Sequence, residues 1–94
     1  MHGLSEETYN KILAIIKKYE NVQFKLFGSR ATGKAKNNSD IDIAVINIVE
    51  EHEMFKIKNE FDLMDMPYKI DLVFIQEISK NELKKAILSE GVDF

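Results

Sequence analysis

A chain of 94 residues with a net charge of −3 has room for one domain, spanning 1–94, and excludes a two-domain enzyme. Apolar residues make up 45% of it, which suits a globular fold and excludes a disordered one. There is no cysteine, which rules out disulfides and thiolate metal sites, and the acidic balance disfavours broad binding to nucleic acid through its phosphates.

The start, Met1 to Glu7, has neither the basic stretch nor the apolar run of a signal peptide. Residues 5–19 read as a helix. Ser5 can cap it, Glu6 and Glu7 favour its positive end, and Lys17 and Lys18 suit the other. Tyr9, Ile12, Leu13 and Ile16 recur at helical spacing and predict its buried stripe, while His2 before it reads as a loose terminus. Residues 22–27 alternate like a strand, with Val22, Phe24 and Leu26 on one face. Residues 28–39, rich in Gly, Ser, Lys and Asn, read as a loop with one helical turn at most.

Residues 40–46 predict a second strand, with Ile41, Ile43 and Val45 facing one way and Asp40, Asp42 and Ala44 the other. The longest apolar stretch, from Ile43 to Val49, is broken by Asn47 and is too short to span a membrane. A soluble, cytoplasmic protein is expected. Residues 50–65 read as a second helix. Glu50, Glu51 and Glu53 favour its start, and His52 is exposed there. Met54, Ile57, Phe61 and Met64 face the core, and Pro67 ends it. A third strand covers 69–75, with Asp71 opposite Ile70, Leu72 and Phe74. The last helix, 79–88, has Ser79 and Glu82 as a capping box, Ile78 and Leu83 as a hydrophobic staple, and Gly91 as its stop. The order α-β-β-α-β-α with a short β-β link predicts an α+β fold with a small mixed or antiparallel sheet.

The informative segment runs from Gly28-Ser29-Arg30 to Asp40-Ile41-Asp42: Gly-Ser, ten residues, then Asp-x-Asp. Chance would give those four fixed positions on the order of once per thousand chains of this length. An Asp-x-Asp alone is usually a solvated strand face. Here Gly-Ser follows one strand, Asp-x-Asp opens the next, and Asp71 waits on a third. The segment from Gly28 to Ala35 also nearly fits a P-loop, but Ala35 stands where a magnesium-binding hydroxyl is needed.

In these residues the chain resembles the minimal nucleotidyltransferases (MNT) of the polymerase-beta-like superfamily. Gly28, Ser29, Asp40 and Asp42 match the family motif without a gap, Asp71 is the natural third carboxylate, and Glu90-Gly91-Val92 resembles the family's usual tail. The resemblance implies a polymerase-beta-like fold and transfer of a nucleotide from ATP with two Mg2+ ions. It further implies a HEPN-type partner, a small helical toxin. The MNT protein acts as antitoxin by moving AMP to a tyrosine of that toxin.

The chemistry explains the residue types. Attack on an α-phosphate builds charge on the attacking and leaving oxygens, which a metal pair about 3.5–4 Å apart neutralises. Magnesium takes oxygen ligands. Residues two apart on a strand project from one face about 6–7 Å apart, so Asp40 and Asp42 are expected to hold metal. Asp71 is expected to join them and to orient or deprotonate the attacking hydroxyl. Gly28 lets backbone approach phosphate, and Ser29 can hydrogen-bond the β- or γ-phosphate at a helix start. Arg30 is expected to neutralise a phosphate. The short chain offers little surface for an acceptor pocket, so the partner is expected to bring the acceptor. Two alternatives stay open: an antitoxin that acts by contact alone, and transfer to a small molecule.

Overall fold

Alternating apolar residues on three short strands decide which side of the sheet is dry. The computed structural model describes residues 2–36 and 39–94. Strand β1 (Phe24–Phe27) runs antiparallel to β2 (Ile41–Val45), pairing Leu26 with Ile43 and Phe27 with Asp42. Strand β3 (Ile70–Phe74) runs parallel to β2, pairing Asp42 with Asp71 and Val45 with Phe74. Helix α2 (Glu51–Asp62) makes the crossover that a parallel pair requires. The sheet is therefore mixed, with the order β3-β2-β1-β4.

Strand β4, only Val92–Asp93, was absent from the expected order. It pairs antiparallel with β1, Leu26 against Val92. Two residues carry no periodicity that could announce a strand. Asp93 also meets Lys25 at 3.2 Å and accepts from Gln23 at 3.0 Å.

Helix α1 covers Glu6–Ile16. The Ser5 hydroxyl accepts from the Thr8 N–H at 3.2 Å, as its sequence position predicts. The buried stripe is rotated from the expected one. Thr8, Ile12, Ile15 and Tyr19 are buried, while Tyr9, Leu13 and Ile16 are half-buried. The helix stops at Ile16 because the next bonds, Lys18 N–H to Ile15 and Tyr19 N–H to Ile16, tighten to the three-residue type. That turn brings Tyr19 back onto the core.

The main core lies between the sheet and helices α1 and α2. Ile12, Leu26, Ile41, Ile43, Val45 and Ile57 are its fully buried side chains. Met54 and Met64 pack against it, partly buried, as expected. Helix α3 (Asn81–Glu90) touches β1, and its fully buried Ile87 lies outside that cluster. It therefore covers part of the sheet's other face, the face to which Phe27, Asp42, Ala44 and Asp71 belong. Small Ala44, with no exposed surface, leaves room for such cover.

Two expectations at this end need correcting. The capping box does not form: α3 begins at Asn81, its N-cap is Lys80, and no side chain caps it. The start follows where the helix must end, with Ile87 buried and Gly91 turning the chain into β4. His2 is not loose. Its ring lies 6.4 Å from Tyr9 and 6.2 Å from Phe94, and those two rings stack at 5.9 Å. Among the described residues, no helix is long and apolar enough to cross a membrane.

Candidate active site

At the end of β1 the chain turns sharply. Gly28 has φ +73°, a left-handed conformation that other residues adopt only with strain. It opens a single 3-10 turn, Gly28–Arg30. The Gly28 carbonyl accepts from the Ala31 and Thr32 N–H groups at 3.1 and 3.2 Å, and the Ser29 carbonyl accepts from the Lys34 N–H at 2.8 Å. The loop's carbonyls are thus turned inward. No partner among the described residues takes up the Ser29 hydroxyl. The expected helix start is this three-residue turn, too short for a helix dipole. What it offers an anion is a hydroxyl and local N–H groups.

Gly28 is needed for a second reason. A Cβ there would collide with the Asp42 carboxylate and lie 3.3 Å from its Cγ. Gly28 and the Asp42 carboxylate are therefore packed face to face. The pairing of Phe27 with Asp42 makes this unavoidable, because Gly28 is the next residue.

Asp42 and Asp71 are register partners on neighbouring parallel strands, so their side chains leave the same face of the sheet. Asp71 is exposed and Asp42 half-buried. Asp40 is exposed just ahead of β2, two residues from Asp42. The next residue, Ile41, is anchored by its N–H to the Lys69 carbonyl at 2.9 Å. Burial pushes the Asp42 carboxyl above its ordinary range, and the charges of Asp71 and then Asp40 push the same way, while Arg30 pulls it down. Asp42 feels both other carboxylates, and oxygen donors of this kind suit a hard cation such as Mg2+. Among the described residues no three such groups are gathered tightly enough to enclose an ion. The site is an open face and not a finished cage.

Arg30 does not point where the sequence led us to expect. It is buried, and its guanidinium donates from Nη1 to the His2 carbonyl at 3.1 Å and from Nη2 to the Ser39 carbonyl at 2.8 Å. It also lies over the Tyr68 ring, 5.0 Å from its centroid. A second cation of the loop, Lys34, is exposed and lines a cleft of about 410 Å³ with Gly28, Ser29, Leu83, Ala86 and the acidic Glu90. Sequence reasoning missed this cleft, because its α3 wall lies far along the chain from its loop wall, Leu83 against Lys34 at the nearest. A larger hollow of about 620 Å³ at the start of α2 is lined by Glu50, Glu51, His52 and Phe55, and none of the three carboxylates reaches it.

The family model of polymerase beta nucleotidyltransferases matches residues 10–93. The chain belongs to the polymerase beta nucleotidyltransferase family. The chain is 43% identical over 51 residues to a Haemophilus influenzae protein named "Probable protein adenylyltransferase MntA". That match covers 50% of this chain and 43% of the Haemophilus protein, less than half its length. A chain in a crystal structure of a toxin-antitoxin with AMP-PNP superposes with a TM-score of 0.63 at 25% identity, over 89% of this chain and 69% of that one. A chain from tri-AMPylated Shewanella oneidensis HEPN toxin in complex with MNT antitoxin gives 0.59 at 20% identity, over 99% and 71%. At that identity the likeness is one of fold.

Proposed function

We propose that this nucleotidyltransferase moves AMP from ATP to a hydroxyl of a HEPN-type partner toxin, a tyrosine for preference, and so acts as a cytoplasmic antitoxin. The observation that carries the reading is Gly28 packed against Asp42, with Asp71 in register beside it. A phosphate loop and a carboxylate face meet there at van der Waals range. The toxin-antitoxin structures and the adenylyltransferase to which the chain is similar support the partner and the acceptor.

In this reading the triphosphate lies along the cleft. The Ser29 hydroxyl and neighbouring N–H groups bind its outer phosphates, Lys34 neutralises charge, and the Gly28 backbone lets the phosphate approach. Leu83 and Ala86 offer apolar surface to the nucleoside. Asp40, Asp42 and Asp71 would hold the Mg2+ pair, which supplies charge neutralisation at the attacking and leaving oxygens. In this reading the exposed Asp40 and Asp71 side chains turn towards Asp42 when the ions bind. Asp71, at the open edge, orients the acceptor hydroxyl and takes its proton. The hydroxyl oxygen bonds to the α-phosphorus as the bond to the bridging oxygen breaks, and pyrophosphate leaves with the electron pair.

The test is incubation of the protein with α-labelled ATP, Mg2+ and a HEPN-type toxin. Label on the toxin that is lost with Asp40→Ala/Asp42→Ala supports the reading. An unlabelled toxin that is still neutralised favours the second reading, neutralisation by contact alone. The observation behind that alternative is the exposed apolar surface at Ile48, Phe55 and Leu63, with 86, 68 and 84% exposure.

A further inference from the structure

Among the described residues Arg30 is the only buried charged side chain, with 4% exposure. Taking a guanidinium out of water is costly unless its donors are met. Here two nitrogens are met by main-chain carbonyls, and Nε has no partner among the described residues. Apart from the His2 carbonyl, these contacts lie close in sequence to residues of the site. Arg30 follows Ser29. The carbonyl of Ser39 immediately precedes Asp40. Tyr68, under the guanidinium, lies three residues before Asp71. The Lys69 carbonyl, next to Tyr68, holds the N–H of Ile41, next to Asp40. The N-terminal turn closes the arrangement. Gly3, at φ +74°, lies so near that a Cβ would stand 3.1 Å from Nη1.

We propose that Arg30 is a positioning residue for the carboxylates: its guanidinium clamps the segment entering Asp40 to the segment entering Asp71, fixing their spacing for the metal ions instead of touching phosphate. The inference rests on the nucleotidyltransferase reading above for the identity of the ligand. A planar fork is required, because two carbonyls and one ring face are engaged together. A lysine at this position brings one point charge and cannot reproduce that geometry.

The test uses Arg30→Lys and Tyr68→Leu, both checked for cooperative melting. Binding of Mn2+ without nucleotide is read by electron paramagnetic resonance, and kcat and the KM for ATP are read at saturating Mg2+. Arg30→Lys is expected to weaken Mn2+ binding and lower kcat, each roughly tenfold, as loss of a supporting contact does elsewhere. The KM for ATP should stay within about twofold, because no binding contact to phosphate is lost. Tyr68→Leu should shift Mn2+ affinity in the same direction, although it cannot reach a phosphate through charge. A rise in KM with Mn2+ affinity unchanged would mean direct phosphate contact and would overturn the proposal. Two variants that bind Mn2+ like the parent would also overturn it, as would a parent that binds no Mn2+. A parent that binds Mn2+ yet transfers no nucleotide defeats the functional reading alone, and the Mn2+ comparison still decides the role of Arg30.

Discussion

At position 42 a carboxylate sits partly out of water beside two others, and its pKa is raised by that burial first and by Asp71 and Asp40 next. A raised carboxyl contributes most to stability below its ordinary value of 3.8, and the contribution is lost as pH climbs through the folded value. At neutral pH the charge therefore strains the fold. Asp42→Asn should melt higher than the parent at pH 7 in a chelator, and the gap should narrow as pH falls towards 4. On the proposed function, the same variant should lose at least roughly a hundredfold in nucleotidyl transfer, because the proposed metal ligand is gone. Thermal melts and labelled-ATP assays on one preparation read both. Gly28→Ala should lose both properties: it adds strain of roughly 1–3 kcal/mol at a left-handed backbone position and drives a methyl into Asp42.

Among the elements, the ends of α3 show what caps contribute. Ser5 caps α1, whereas Lys80 before α3 supplies no side-chain bond. Lys80→Asp should stabilise by about 1 kcal/mol, read as a rise in the denaturation midpoint at unchanged slope. Gly91→Ala should do the reverse, by about 1–3 kcal/mol, because the added methyl would strike the Ile87 carbonyl and press on the Leu26 carbonyl at 3.3 Å. The sequence marks Gly91 as a helix stop. The structure gives a different cause: φ is −65°, open to any residue, and the glycine is needed for close approach. The same distinction runs through the molecule. The three longer strands, Asp-x-Asp and Gly-Ser were legible because they rest on spacing within a short stretch. The burial of Arg30 was not, because its partners are carbonyls of residues 2 and 39, which no side-chain pattern records. Nor was the cleft's α3 wall, which only the docking of that helix brings to Ser29.

Across the whole molecule, α1 and α2 are joined at their far ends by polar groups around Glu60. Lys18 reaches it at 2.6 Å, and the Tyr19 hydroxyl donates to its other oxygen. Burial, followed by the bond to Glu60, pushes the Tyr19 phenol up to about 12. The stability this provides is complete below the ordinary value of 10.0 and is lost as pH rises through about 12. Tyr19→Phe should cost about 1 kcal/mol at neutral pH, and its melting curve should approach the parent's in strong alkali. Lys11 adds a second tie, donating to the Asp65 carbonyl at 2.9 Å. The helical layer is thus fastened at one side of the sheet while the carboxylates stay open on the other. On the proposed function, an acceptor would approach Asp71 on the edge strand without disturbing the main core.

The collision that a side chain at position 28 would suffer has a historical reading. Gly28 and Asp42 constrain each other only while the carboxylate is present. A lineage that gives up chemistry loses Asp42 under relaxed selection and with it half the reason for a glycine. Descendants with Ala or Asn at position 28 should then carry a small residue at 42, and the order of the two changes should be carboxylate first. A protein engineered to repeat that order, with Gly28→Ala placed in an Asp42→Ala background, should retain more of its stability than Gly28→Ala alone, leaving only the backbone strain of φ +73°.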